Sequence, residues 1–232
     1  MIVAIHQPNY LPWFGYFAKI ARADVFVFLD DAQYSKNSYI NRVQIDGSGN
    51  ARWLTVPVRY KFGDPINAVR AAGSEWRQEH VRMLESHYRS APFFSEVFEW
   101  LAPLLNSIQD DTIASMNGAL VEAVAGHLGL RTRFLRASSM KAADVSGDDR
   151  LIALLRTLGS GVTYLSGQGG ASYQDPAKFA AQDIQLVYSD FAPVAYPQGR
   201  EGFIAGLSIV DALFRVGRGR VADILGAAPI AA

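Results

Sequence analysis

The chain has 232 residues, half of them hydrophobic, with 22 basic against 22 acidic side chains and no cysteine. That length can bury a sizeable core and is read as one α/β domain spanning 1–232. Balanced charge argues against a dedicated nucleic-acid binder, and the missing cysteines rule out disulfide scaffolds, thiolate zinc sites and cysteine nucleophiles. No window reaches the roughly 18 uninterrupted apolar residues of a membrane helix. The apolar start Met1–Ile5 lacks a basic leader and is broken at Pro8, so no signal peptide is expected and the protein is read as cytoplasmic.

In chain order, Ile2–Ile5 is an apolar run that suits a buried strand, and Pro8 and Pro12 stop it by removing ladder donors. From Trp13 the pattern turns helical, with Phe14, Phe17, Ile20 and Ala21 at three- and four-residue spacing. Val25–Leu29 is β-prone and apolar on both faces, as a central parallel strand requires. Strand, turn, helix and strand make a right-handed βαβ unit. Residues 30–40 read as a polar loop; Asn41–Ile45 and Arg52–Val58 read as paired strands around the turn 46–50, and Ile66–Val69 as another short strand.

A helical insert over about 75–128 follows, with helices predicted at 75–90, 92–107 and 112–128; Pro92 is placed in a first turn and Gly129 at a C-terminal stop. Alternation then resumes: strand 133–136, helix 148–158, strand 163–165, a glycine-rich loop, helix 176–181, strand 184–188 and a final helix 207–217. The fold class is therefore α/β with a mainly parallel, Rossmann-like sheet.

Loops at the C-terminal ends of parallel strands are where such folds bind ligands. Three polar loops, 6–12, 30–42 and 166–173, are expected to meet on one edge of the sheet. His6, just beyond the first strand, titrates near neutrality and is the candidate general base, unless it only caps the strand end. Gln7 and Asn9 either contact a ligand or steady the turn, and Tyr10 either stacks on a ligand or packs, with packing favoured. The helix starting near Trp13 turns its positive end toward this loop, which suits an anionic ligand.

"DDAQYSKNSYINR" (30–42) mixes both signs of charge with amides, a composition suited to recognition. Asp30 and Asp31 are candidates to orient His6, hold a substrate ammonium, act as a base or bind a metal. Lys36 and Arg42 suit phosphate or carboxylate, and Gln33, Asn37, Ser38 and Asn41 complete the set. "SGQGGASY" (166–173) fits neither the P-loop nor G-x-G-x-x-G, yet contributes Gly167, Gly169 and Tyr173 as candidate substrate contacts. His80 and His87, seven apart, cannot share a metal at i, i+4 spacing and are read as surface or packing residues; no metal site is expected.

The stretch "HQPNYLPWFGYFAKI", then "RADVFVFLDD", "QYSKNSYINRVQI" and "WLTVPV", with later "YLSGQGGASY" and "LSIVDALFRVG", resembles the WbqC-like protein family over most of the chain. Members of that family are similar to proteins found beside bacterial surface-polysaccharide and specialised-metabolite genes. The resemblance implies a transferase that passes an acyl or aminoacyl group, such as glycyl, to an amine acceptor, for instance an amino-sugar nucleotide. An activated acyl donor is then the co-substrate with no further cofactor, and an acyl or aminoacyl carrier protein is a possible partner. A more distant likeness to pantothenate synthetase-like nucleotidyltransferases carries an ATP-using alternative. There Trp13-Phe14-Gly15-Tyr16 stands where those enzymes place a histidine pair, which puts adenylyl transfer in doubt. A non-enzymatic module binding a nucleotide sugar or carrier protein is the third reading.

Overall fold

The structure, a computed structural model, describes residues 1–47, 49–108, 110, 112–143 and 145–226. Its centre is a sheet of five strands, all parallel: β1 (Ile2–His6), β2 (Val25–Phe28), β7 (Arg133–Arg136), β8 (Val162–Ser166) and β9 (Ile184–Tyr188), in the order β7-β2-β1-β8-β9. The expected mainly parallel α/β fold is thus observed. Register is set by runs of β-branched and aromatic residues buried on both faces, with Val3 opposite Val25 and His6 opposite Phe28.

Alternation along the strands sorts the core into two layers. Ala4, Phe26 and Phe28 face the layer built with α1 (Phe14–Arg22), while Val3, Ile5, Val25 and Val27 face the layer built with α5 (Gly147–Arg156) and α6 (Pro176–Ala180). The first layer also takes in α2 (Glu75–Tyr88), α3 (Phe94–Ser107), α4 (Ile113–His127) and α7 (Ile209–Gly226).

Two glycines punctuate these helices as their backbone angles demand. At the end of α4, Gly129 takes φ 75°; its N–H donates to Gly126 O and that of Leu130 to Ala125 O, closing a Schellman motif. Within α7, Gly217 breaks the helix at φ 76°, ψ 166°, and a β-carbon there would meet the Phe93 ring at 2.6 Å. The last helix therefore runs past its expected end at 217 but is bent there. Pro92 lies just ahead of α3 and outside its first turn.

Between β2 and α2 the chain forms two small hairpins. β3 (Arg42–Asp46) pairs antiparallel with β4 (Ala51–Thr55), as expected, and Ser48 of the connecting turn lies outside the described residues. β5 (Val58–Arg59) pairs with β6 (Arg70–Ala71). The strand expected at Ile66–Val69 is a 3-10 turn, Ile66–Ala68. Its donors are directed elsewhere: Ile66 N–H to Ala32 O and Asn67 N–H to Asp30 O, so the segment braces the loop after β2 and joins no ladder.

Candidate functional site

Strand order reverses between β1 and β8. The chain leaves β1 toward α1 on one face and leaves β8 toward α6 on the other, so the two exits part and open a crevice at the carboxyl edge. A cavity of about 620 Å³ lies there, within the range of small-molecule sites. His6, Gln7, Asp31, Arg150, Tyr164 and Tyr173 line it, together with the start of α5.

The loop 7–12 is held firmly. Asn117 on α4 donates to Pro8 O, Tyr10 N–H donates to Tyr39 O, Ser208 Oγ donates to Leu11 O at 2.6 Å, and Ile209 N–H donates to Pro12 O. These ties hold Leu11 at φ 40°, a left-handed conformation costly for a branched side chain.

His6 Nδ1 lies 3.0 Å from Gln7 O. A carbonyl can only accept, so Nδ1 carries the proton and Nε2 keeps its lone pair. Tyr16 meets the ring edge-on, with centroids 4.8 Å apart, and Trp13 stands at 6.3 Å. Burial, reinforced by the Lys19 ammonium, lowers His6 to about 3 from an ordinary 6.5, so the ring is neutral throughout the physiological range.

Asp31 forms a partly buried ion pair with Arg150 on the cavity wall. Asp30 is positioned differently: it is buried, and its carboxylate accepts from Ser138 N–H at 2.9 Å and from Ser138 Oγ at 2.6 Å, tying the exit of β2 to that of β7. His6 donates the hydrogen bond that orients it to Gln7 O, and neither aspartate takes part.

The remaining expected contacts divide. Gln7, Gln33 and Tyr173 reach the cavity. Lys36 and Asn37 are exposed on the loop, Asn37 at φ 58°, and Ser38 Oγ donates to Ser35 O inside the same turn. Asn41 is buried, accepting from Tyr34 OH and donating to Val56 O, and Asn9 is buried in the loop after β1. Arg42 lies over the Trp53 ring at 4.1 Å, at the end of an aromatic row running Trp13, Tyr39, Trp53. Tyr10 packs, as favoured: its OH donates to His80 Nδ1 at 2.8 Å, while His80 Nε2–H donates to Thr55 O. Gly169 is open to solvent, and Gly167 adjoins Lys19.

The family model of the WbqC-like protein family matches residues 7–222. The chain belongs to the WbqC-like protein family. It is also similar to "Uncharacterized protein Rv1507c" of Mycobacterium tuberculosis (strain ATCC 25618 / H37Rv), at 36% identity over 218 residues, covering 93% of this chain and 94% of that one. No solved structure matches it.

Pattern reading passed over two groups that line the crevice of this WbqC-like chain, Arg150 and Tyr164, and a third, Lys19, buried outside the cavity lining. Arg150 and the residues before it open a helix that follows a parallel strand, which by βα topology puts them at the carboxyl edge; that signal was in the sequence. Tyr164 was hidden inside an apolar strand. Lys19 is 4% exposed on α1, and burial pulls its amine down to about 7 from 10.5. Among the described residues no three His, Asp or Glu side chains gather closely enough to hold a metal ion, and no helix is long and apolar enough to cross a membrane.

Proposed function

We propose that the chain is a cytoplasmic transferase forming an amide between an activated acyl or aminoacyl donor and an amine acceptor such as an amino-sugar nucleotide, in surface-polysaccharide or specialised-metabolite biosynthesis. The observation that carries this reading is the tautomer and place of His6: Gln7 O holds the ring proton on Nδ1, which leaves the Nε2 lone pair available on a residue that lines a 620 Å³ cavity. An acceptor amine attacks only when deprotonated, and its proton needs a neutral acceptor within hydrogen-bond reach.

In this reaction the amine nitrogen bonds to the acyl carbon, the bond to the activating group breaks, and the amine proton passes to His6. The activating group departs with the electron pair. With no cysteine in the chain, direct attack on the donor is the simpler course. The Asp31–Arg150 pair suits the two substrates' charges: Asp31 for an ammonium, Arg150 for a carboxylate or phosphate in forked geometry. A carrier protein delivering the donor fits the same scheme.

The test is incubation of the purified chain with panels of amino-sugar nucleotides and activated acyl or aminoacyl donors, followed by mass spectrometry for the amide. Loss of the general base is expected to slow turnover by about 10²–10⁴-fold in His6→Ala. Full turnover in His6→Ala would remove His6 from the chemistry. Stabilisation by ATP and magnesium with pyrophosphate release would favour nucleotidyl transfer instead.

A further inference from the structure

Lys19 is an anomaly in its surroundings. It belongs to α1, whose neighbouring residues Phe17, Ala18 and Ile20 are fully buried apolar side chains. Its Nζ is itself buried and has no hydrogen-bond partner. Lysine is almost never buried without a partner, because desolvating an ammonium is strongly unfavourable and a methionine or leucine of like size would fill the space at less cost. A buried amine without a partner, where apolar packing would serve, has the chemistry to meet an oxyanion that is not part of the chain.

Its location says what. The amine stands 3.8 Å from the point where a β-carbon on Gly167 would be, at the mouth of the 3-10 turn Gln168–Ser172 that leaves β8. It is near enough to His6, the last residue of β1, to repel a proton from that ring. Lys19 therefore lies at the reversal point of the sheet, between the exits of β1 and β8. Of the other cations, Arg150 shares its charge with Asp31 on the cavity wall and can hold one anionic group there, Arg42 is stacked on Trp53, and Lys36 is exposed on its loop outside the cavity wall, so Lys19 is the cation left for a second anionic group.

We propose that Lys19 and the turn beginning at Gly167 form an oxyanion subsite beside the crevice, which takes a phosphoryl or carboxylate group of the substrate. The proposal rests on reading the crevice as a substrate site and adds the charge of what enters it. An oxyanion there supplies the missing partner to the ammonium, and by neutralising its field it relieves the lesser of the two effects that lower His6, burial being the greater.

The experiment compares the full chain with Lys19→Met and Lys19→Gln by thermal shift and calorimetric titration, using inorganic phosphate, pyrophosphate and acetate against chloride at matched ionic strength. Wild type should bind at least one of these oxyanions above the chloride control. Phosphate or pyrophosphate binding identifies a phosphoryl group as the natural ligand, and acetate binding alone a carboxylate. Either variant should lose at least about tenfold in affinity, and Lys19→Met should melt above wild type when no oxyanion is present. Unchanged affinity in Lys19→Met, no oxyanion binding to wild type, or a Lys19→Met chain that melts lower than wild type would each overturn the subsite. If neither variant folds, the 15N resonance of the Lys19 amine in the wild type decides: it shifts on adding pyrophosphate or acetate if the subsite exists and stays fixed if it does not. Failure of these tests while His6→Ala still loses turnover would discard the subsite and leave the transfer reading intact.

Discussion

Asn117 donates from one Nδ2 to Pro8 O at 2.9 Å and to Ile40 O at 2.6 Å. A single buried amide on α4 thereby joins the loop leaving β1 to the loop that follows β2, the two segments densest in candidate site residues. Both carbonyls are enclosed, so removing the donor leaves two buried acceptors unsatisfied. Asn117→Ala is expected to lose about 2–4 kcal/mol of stability, measured as a lowered urea midpoint with an unchanged slope. A loss below half a kcal/mol would mean that the loops hold one another without it.

Adjacent aspartates should respond differently. Asp30 is committed to both donors of Ser138, so Asp30→Ala should cost about 2–3 kcal/mol in unfolding free energy, the range for buried hydrogen bonds to a charged group. Asp31 is partly exposed and pairs with Arg150 at the cavity, so Asp31→Ala should lower stability by no more than about 1 kcal/mol and act mainly on substrate KM. Parallel chemical denaturation and kinetics separate the two; equal stability losses would contradict the distinction.

Two histidines make the fold acid-sensitive. Burial lowers His6 to about 3 and His80 to about 4, from 6.5. The unfolded chain therefore binds more protons than the native one below pH 6.5, and stability that is fully present above that value falls as pH drops toward 4 and then 3. Each ring contributes a slope of at most about 1.4 kcal/mol per pH unit. Urea midpoints between pH 7 and 4.5 should fall with pH, and His80→Gln should fall less steeply.

Lys19 acts on the alkaline side. Its amine sits at about 7 in the folded chain against 10.5 when unfolded, so unfolding takes up a proton throughout that interval. Stability should accordingly rise from pH 7 toward pH 10, and this rise should be absent in Lys19→Met. Thermal melts at matched ionic strength read it directly; an identical profile in the variant would mean that Lys19 is charged in the empty fold.

Much of this architecture was open to pattern reading because its signals are local. Val25–Phe28 is β-branched and aromatic on both faces, Gly129 lies where a helix needs a left-handed stop, and Ile184–Tyr188 and Arg133–Arg136 form strands with the expected bounds. Ile66–Val69 misled because apolar character is ambiguous over four residues; what settled its shape was the pull of Ala32 O and Asp30 O from another loop.

The crevice was legible as a place, and the residues that line it less so. Topology alone pointed to the exits of β1, β2 and β8, and His6, Asp31, Gln33 and Tyr173 do line the cavity. Polarity could not say which groups in 30–42 serve the fold, since Asp30, Asn41 and Arg42 find their partners through tertiary contacts with Ser138, Val56 and Trp53. Lys19 gave no sign of itself, because a lysine on a short amphipathic helix reads as solvated, whereas tertiary packing buries it with its amine next to Gly167.

The central claim, that the crevice between β1 and β8 is the substrate site, is tested most directly by capture. Wild type and Arg150→Leu are each passed through a small-molecule extract, washed, denatured and analysed by mass spectrometry for what they release. The account predicts that wild type retains an anionic amine or acyl compound that Arg150→Leu releases or never binds. Equal retention of the same compound by both proteins would place the site elsewhere.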